Sequence, residues 1–98
     1  MEHKYVLSEV KPCADVLGYS VKGKIYDTTF KVLYDTLADI DNKAKFIKSA
    51  NMVICKIESC EFYLYDDNSF IISEIVSEEA ACILIEKILN YNIILGAV

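Results

Sequence analysis

The chain has 98 residues, enough for one domain with its own core, and its 26% of charged residues excludes intrinsic disorder. The net charge is −5 and every basic residue is lysine, which argues against nucleic acids and polyphosphates as ligands. The longest apolar runs, 80–85 and 93–98, are too short to cross a bilayer, and no signal-peptide pattern opens the sequence. We therefore expect one cytoplasmic domain over residues 1–98, with no membrane association and with reduced cysteines.

The first quarter of the chain predicts two strands. Residues 4–10 alternate weakly between apolar and polar side chains, and Pro12 should end this strand because proline lacks a ladder N–H donor. Residues 16–26 alternate more clearly and predict the second strand. Gly18 and Gly23 within it indicate bulges or a close approach of another part of the chain.

An amphipathic helix of up to twenty residues is predicted next, with Asp27 or Thr28 as its N-terminal cap. Its apolar residues recur at helical spacing: Phe30, Leu33, Tyr34, Leu37, Ala44 and Ile47. The sequence Asp-Ile-Asp-Asn at 39–42 can interrupt the helix, which leaves two shorter helices as the alternative. Asn51 is predicted as the C-terminal cap.

The segment 52–90 has the clearest pattern in the chain. It predicts three strands, at 52–57, at 61–65 after a kink at Ser59–Cys60, and at 70–76. The Asp67–Asn68 pair suits a hairpin turn because both residue types tolerate positive φ. Ser77 should cap a second helix that ends near Asn90. Runs of antiparallel strands with two helices predict an α+β two-layer sandwich, a sheet of four to six strands with both helices on one face.

The stretch Glu61–Leu89 resembles half of a TATA-binding-protein-like repeat. The similarity lies in a strand, a short turn and a strand that runs into a Ser-Glu-Glu-Ala helix at 77–80. It covers under a third of the chain and implies architecture alone. The acidic hairpin at 66–68 and the lack of arginine depart from the basic sheet of the DNA-binding members, so no functional residue is transferred.

The cysteines are the first candidates for chemistry. They are Cys13, Cys55, Cys60 and Cys82, and they lack the two close pairs that structural zinc sites use. We expect free thiols and no metal or cofactor. Cys13 is the candidate reactive thiol because Lys11 is near enough in sequence to lower its pKa. No Ser/His/Asp arrangement, catalytic carboxylate pair or phosphate loop can be placed, so no catalytic residue is predicted.

Two apolar features are candidate interfaces. Tyr63 and Tyr65 share one strand face, and tyrosine is enriched at protein interfaces. Ile93, Ile94 and Leu95 belong to an apolar segment, 93–98, that should pair with the sheet or with a partner. The leading hypothesis is a non-enzymatic interaction or assembly module that forms a homo-oligomer or binds another protein. The alternatives are a small-ligand pocket between helix and sheet, or a thiol or metal protein that uses the cysteines. A nucleic-acid module is the least favoured.

Overall fold

Six antiparallel strands form one sheet, and two helices pack on one of its faces. The computed structural model describes residues 5–13 and 18–91. In chain order the elements are β1 (Tyr5–Pro12), β2 (Tyr19–Ile25), α1 (Phe30–Ile40), β3 (Lys45–Ile47), a 3-10 turn (Lys48–Ala50), β4 (Met52–Ile57), β5 (Cys60–Tyr65), β6 (Ser69–Ile75) and α2 (Glu78–Leu89). The strands lie in the order β1-β2-β6-β5-β4-β3. This confirms the predicted α+β two-layer sandwich.

The predicted long first helix is wrong, because α1 ends at Ile40 and the chain returns to the sheet as β3. The Asp41 carboxylate accepts a hydrogen bond from the Lys43 backbone N–H at 3.0 Å, a local turn that competes with helix continuation. Ala44 and Ile47, assigned to the helix from their spacing, therefore lie outside it.

The helix caps match the prediction in one case of two. Ser77 caps α2, and its hydroxyl accepts from the Ala80 N–H at 3.0 Å, as predicted. The cap of α1 is Thr29 rather than Asp27 or Thr28. Its hydroxyl satisfies one of the free N–H groups of the first helical turn.

The first strand ends at Pro12, as predicted, but its pairing extends past the predicted residues 4–10 to include the proline. Pro12 is the last residue of β1 and lies opposite Tyr19 of β2. Because β1 is an edge strand with a partner on one side alone, a residue without an N–H is tolerated there.

Three connections depend on residues with positive φ. The predicted kink at Ser59–Cys60 is a two-residue hairpin turn in which Glu58 and Ser59 have φ of 51° and 73°. Asn68 has a φ of 71° and confirms the predicted second hairpin. Asn51 is a C-terminal cap, as predicted, but it caps the 3-10 turn rather than a long helix, with a φ of 49°.

The core lies between the helices and the inner face of the sheet. Its largest fully buried side chains are Phe62, Phe70, Ile25, Leu37, Leu64, Ile72, Ile85, Val21 and Val53. The Phe62 and Phe70 rings stack with centroids 5.7 Å apart. Gly23, opposite Phe70, leaves the space that the Phe70 ring fills. No helix in the described part of the chain is long and apolar enough to span a membrane.

Candidate functional site

The sheet face turned away from the helices, which we call the open face, carries a group of apolar side chains. They are the apolar strip: Ile47, Met52, Ile54, Tyr63, Tyr65 and Ile71. Each alternates with the core residues of its strand, and each is half-buried. Both helices pack on the opposite face, so no helix within 5–13 and 18–91 covers the strip. The prediction that Tyr63 and Tyr65 lie on the same face of the sheet is confirmed.

One row of cross-strand neighbours crosses the open face through five strands. It runs Lys22, Ile71, Tyr63, Ile54, Lys45, from β2 to β3. Neighbouring strands are about 4.8 Å apart, so the two lysine Cα atoms are about 19 Å apart. The row therefore has an apolar centre between two lysines, and Glu9 of β1 lies opposite Lys22 beyond one end.

Tyr63 occupies the middle of that row and is fixed by a hydrogen bond. Its hydroxyl donates to the Glu61 carboxylate, two residues earlier on the same strand. This bond, with partial burial, raises the pKa of Tyr63 to about 12. The tyrosine therefore stays neutral throughout the physiological pH range.

The charges of the molecule are divided between its two layers. Outward residues of the strands give the open face five lysines, Lys11, Lys22, Lys24, Lys45 and Lys56, and three carboxylates, Glu9, Glu61 and Glu74. The helices expose five carboxylates, Asp35, Asp39, Glu78, Glu79 and Glu86, and two lysines, Lys31 and Lys87. A chain with a net charge of −5 therefore has a basic face.

A groove of about 690 Å³, which we call the lysine groove, lies where the loop after α1 passes β4 and β5. It is lined by Asp41, Lys43, Lys45, Ile47, Ile54, Cys55, Lys56, Glu58, Ser59 and Glu61. Its carboxylates are engaged: Asp41 with two backbone N–H groups, Glu58 with Lys87, and Glu61 with Tyr63. Lys43, Lys45 and Lys56 form no ion pair within the described ranges. Asp41 and Glu61 keep their negative charge in these hydrogen bonds, so the groove holds three lysines without an ion pair beside two anionic carboxylates.

Asp41 holds one wall of the groove in place. Its carboxylate accepts from the Lys56 N–H at 2.9 Å and from the Lys43 N–H at 3.0 Å. These backbone bonds lower the pKa of Asp41 below its usual value of 3.8. The stabilisation is present above about pH 3.8 and is lost as the pH falls through the lower pKa of the folded state.

The Asp41→Asn variant should therefore have a lower Tm than the parent at about pH 7, and the difference should shrink at about pH 3. Thermal unfolding followed by circular dichroism at both pH values measures it. Asp39→Asn removes the same charge from an exposed position of α1 and should change Tm much less. A Tm difference for Asp41→Asn that does not depend on pH would contradict this role.

The four thiols are separated in the structure. Cys55 and Cys60 are buried, whereas Cys13 and Cys82 are half-buried. Burial, followed by the Asp41 charge, raises the pKa of Cys55 to about 12, and burial raises the pKa of Cys60. Within 5–13 and 18–91, no three His, Cys, Asp or Glu side chains lie close enough together to hold a metal ion.

Cys13 follows β1 at the edge of the sheet, and its backbone N–H donates to the Gly18 carbonyl at 3.0 Å. The Lys11 ammonium, expected beside the thiol, lies 2.8 Å from Glu9. We predict that a thiol reagent labels Cys13 and Cys82 rapidly in the native protein and Cys55 and Cys60 only on unfolding. Peptide mapping after timed labelling gives the order; early modification of Cys55 would contradict it.

The sequence pattern identified only part of this surface. Ile54 and Ile71 alternate with the core residues of their strands, and that alternation was the signal for their place beside the tyrosines. Lys45 had no such signal, because its three-residue strand was taken as helix. Ile93, Ile94 and Leu95 lie outside the described residues. A pocket of about 190 Å³ lies between α2 and the ends of β5 and β6, and the hypothesis that a small ligand binds there stays a prediction.

Comparison with known proteins gives no family for the chain. The resemblance of Glu61–Leu89 to a TATA-binding-protein-like repeat stays a prediction, as nothing found bears on it. No family model, no curated protein and no solved structure matches this sequence.

Proposed function

We propose that this protein is a non-enzymatic interaction module whose open face binds another polypeptide. The observation that carries the proposal is the apolar strip, two tyrosines and four aliphatic side chains on a face that no described helix covers. Tyrosine buries a large apolar ring at a small cost in side-chain entropy, which suits an interface that is exposed between encounters.

The edges of the sheet support the face as the contact surface. β1 has a bulge between Leu7 and Glu9, an ion pair between Glu9 and Lys11, and a terminal proline. β3 has three residues, and beyond it the Asp41 side chain occupies the next N–H of β4. Bulges, charges, proline and short edge strands all hinder the addition of a further strand.

A photo-crosslinking experiment tests the proposal. Benzoylphenylalanine at Tyr65 places the crosslinker on the apolar strip, and the same residue at Val32 places it on α1, at a side chain that is 50% exposed. Irradiation in an extract of the source cells should give a discrete adduct from position 65 and none from position 32. Ser substitution at Tyr63 and Ile71 should weaken that adduct.

The controls separate binding from folding. Both labelled proteins should keep the parent Tm, and the Ser variant should still unfold cooperatively. Identical adducts from positions 65 and 32, or none from position 65, would contradict the proposal.

The segment 93–98 is the second candidate interface, proposed on its apolar sequence alone. Deletion of 93–98 should change the number of chains per particle, measured by native mass spectrometry, if this segment joins copies of the chain. A deletion variant with an unaltered oligomeric state and an unaltered adduct from position 65 would assign binding to the open face.

A further inference from the structure

We infer that the partner of the open face is an acidic polypeptide segment, with carboxylates on both sides of a short apolar core. This inference rests on the proposed function and adds the chemistry of the partner. It follows from the distribution of lysines around the apolar strip and from Lys43, Lys45 and Lys56 of the lysine groove, which form no ion pair within the described ranges.

The first argument is the cross-strand row. Lys22 and Lys45 end the row about 19 Å apart, and Ile71, Tyr63 and Ile54 fill the space between them. An extended segment rises about 3.3 Å per residue, so about six residues reach from one lysine to the other. A segment with acidic residues at that separation and apolar residues between them complements the row.

The second argument is that Lys22 and Lys45, the lysines on either side of the apolar centre, differ in their ion pairs. Lys22 already has Glu9 at 3.6 Å, whereas Lys45 has no ion pair within the described ranges. Lys45 also lines the lysine groove beside Lys43 and Lys56, above Ile47 and Ile54. The stronger anchor for a carboxylate is therefore the groove.

A second copy of the chain is disfavoured at this face. A two-fold dimer with the open face as its interface would bring the same lysine-bearing patch against itself. Like charges brought together in an interface cost free energy, which is a device that selects against wrong partners. A partner that supplies carboxylates meets no such cost.

Nucleic acid is the weaker match for the same face. Phosphate binding depends on many cationic contacts and is usually supported by arginine, which this chain lacks.

Selection from a random peptide library tests the inference without an assumed sequence. The immobilised full chain is exposed to displayed peptides of about twelve residues, which are long enough to cross the open face. We expect the enriched peptides to carry Asp or Glu on both sides of apolar residues. The dissociation constant of one enriched peptide is then measured for the parent and for two variants.

The two variants distinguish an effect of the lysine groove on binding from a general effect of positive charge. Substitution of Lys43, Lys45 and Lys56 by Gln should raise the dissociation constant of the enriched peptide by about tenfold or more. It should also reduce the dependence of binding on salt. Lys31→Gln removes a lysine from α1, where it pairs with Asp35, and should change binding less than about twofold. Both variants should retain the parent Tm.

Each of the other possible outcomes contradicts a stated part of the proposal. Enriched peptides that need Tyr63 and Ile54 but have no acidic bias would leave the interaction module standing and remove the acidic partner. If no enriched peptide depends on the open face for binding, both the acidic partner and the interaction module are contradicted. Tighter binding of a labelled oligouridine that requires Tyr63 and Tyr65 would replace the peptide by RNA. Salt-sensitive self-association would replace it by the acidic helices of a second copy.

Discussion

The Phe62→Ala variant should lose about 3–5 kcal/mol of the free energy of unfolding, the largest loss that we expect from a single substitution here. Phe62 is 1% exposed in the middle of β5, and its ring stacks on that of Phe70 at 5.7 Å. Truncation removes this buried area and leaves a cavity that the surrounding strands and helices can close only in part. Denaturant unfolding followed by circular dichroism gives the change in free energy.

Tyr65→Ala is the matched control, because it removes an aromatic ring from the open face of the same strand. Tyr65 is half-buried beside Met52, so its truncation should cost about 0.2–1 kcal/mol. Equal losses for the two variants would mean that a described residue or a bound partner buries Tyr65 as deeply as Phe62. That result would contradict an uncovered strip in the isolated protein.

The Gly23→Ala variant should lose about 3 kcal/mol, from overpacking rather than from a cavity. A Cβ atom at position 23 would lie 2.4 Å from the Val6 carbonyl oxygen and 2.6 Å from the Phe70 ring. The ring belongs to the central aromatic pair and the oxygen to the backbone of β1, so neither can move away without loss of packing or pairing. The same unfolding measurement applies.

Two further variants identify the cause of that loss. Ser20→Ala places alanine on the open face of β2 and should change stability by less than about 0.5 kcal/mol. Phe70→Leu combined with Gly23→Ala should cost less than the sum of the single losses, because the smaller side chain relieves one of the two clashes. A strictly additive result would show that Phe70 does not restrict position 23.

The fold class could be predicted because the apolar residues of the segment 52–90 recur first with the spacing of strands and then with the spacing of a helix. Val53, Cys55 and Ile57 alternate as a strand requires, and Ser77 precedes an apolar stripe at helical spacing. The open face was predictable in part from the same alternation, which placed Tyr63 beside Tyr65. Local pattern and tertiary packing agree at all these positions.

The errors have local causes that a periodic pattern does not contain. The pattern predicts helix at β3 because Ala44 and Ile47 continue the spacing of α1. The Asp41 side chain ends the helix through a local bond to the Lys43 N–H and a bond to the Lys56 N–H of β4. The Glu58–Ser59 turn lacks the Asn-Gly signal of tight hairpins, so it was taken as a kink. The lysine groove was not predictable, since its lysines come together only when the loop after α1 meets β4.

The strand order also has a consequence for the path of folding. β3 to β6 are consecutive neighbours joined by short turns, and β1 pairs with β2, so two sections of the sheet can form early from local contacts. They are joined through β2 and β6, where Lys24 pairs with Ser69 about 45 residues later in the chain. Closure of that loop costs chain entropy before burial of the core supplies any stabilising free energy. We therefore expect the β2–β6 pairing to form last. On the ribosome, the first strands would then wait for residue 75 before the sheet could be completed.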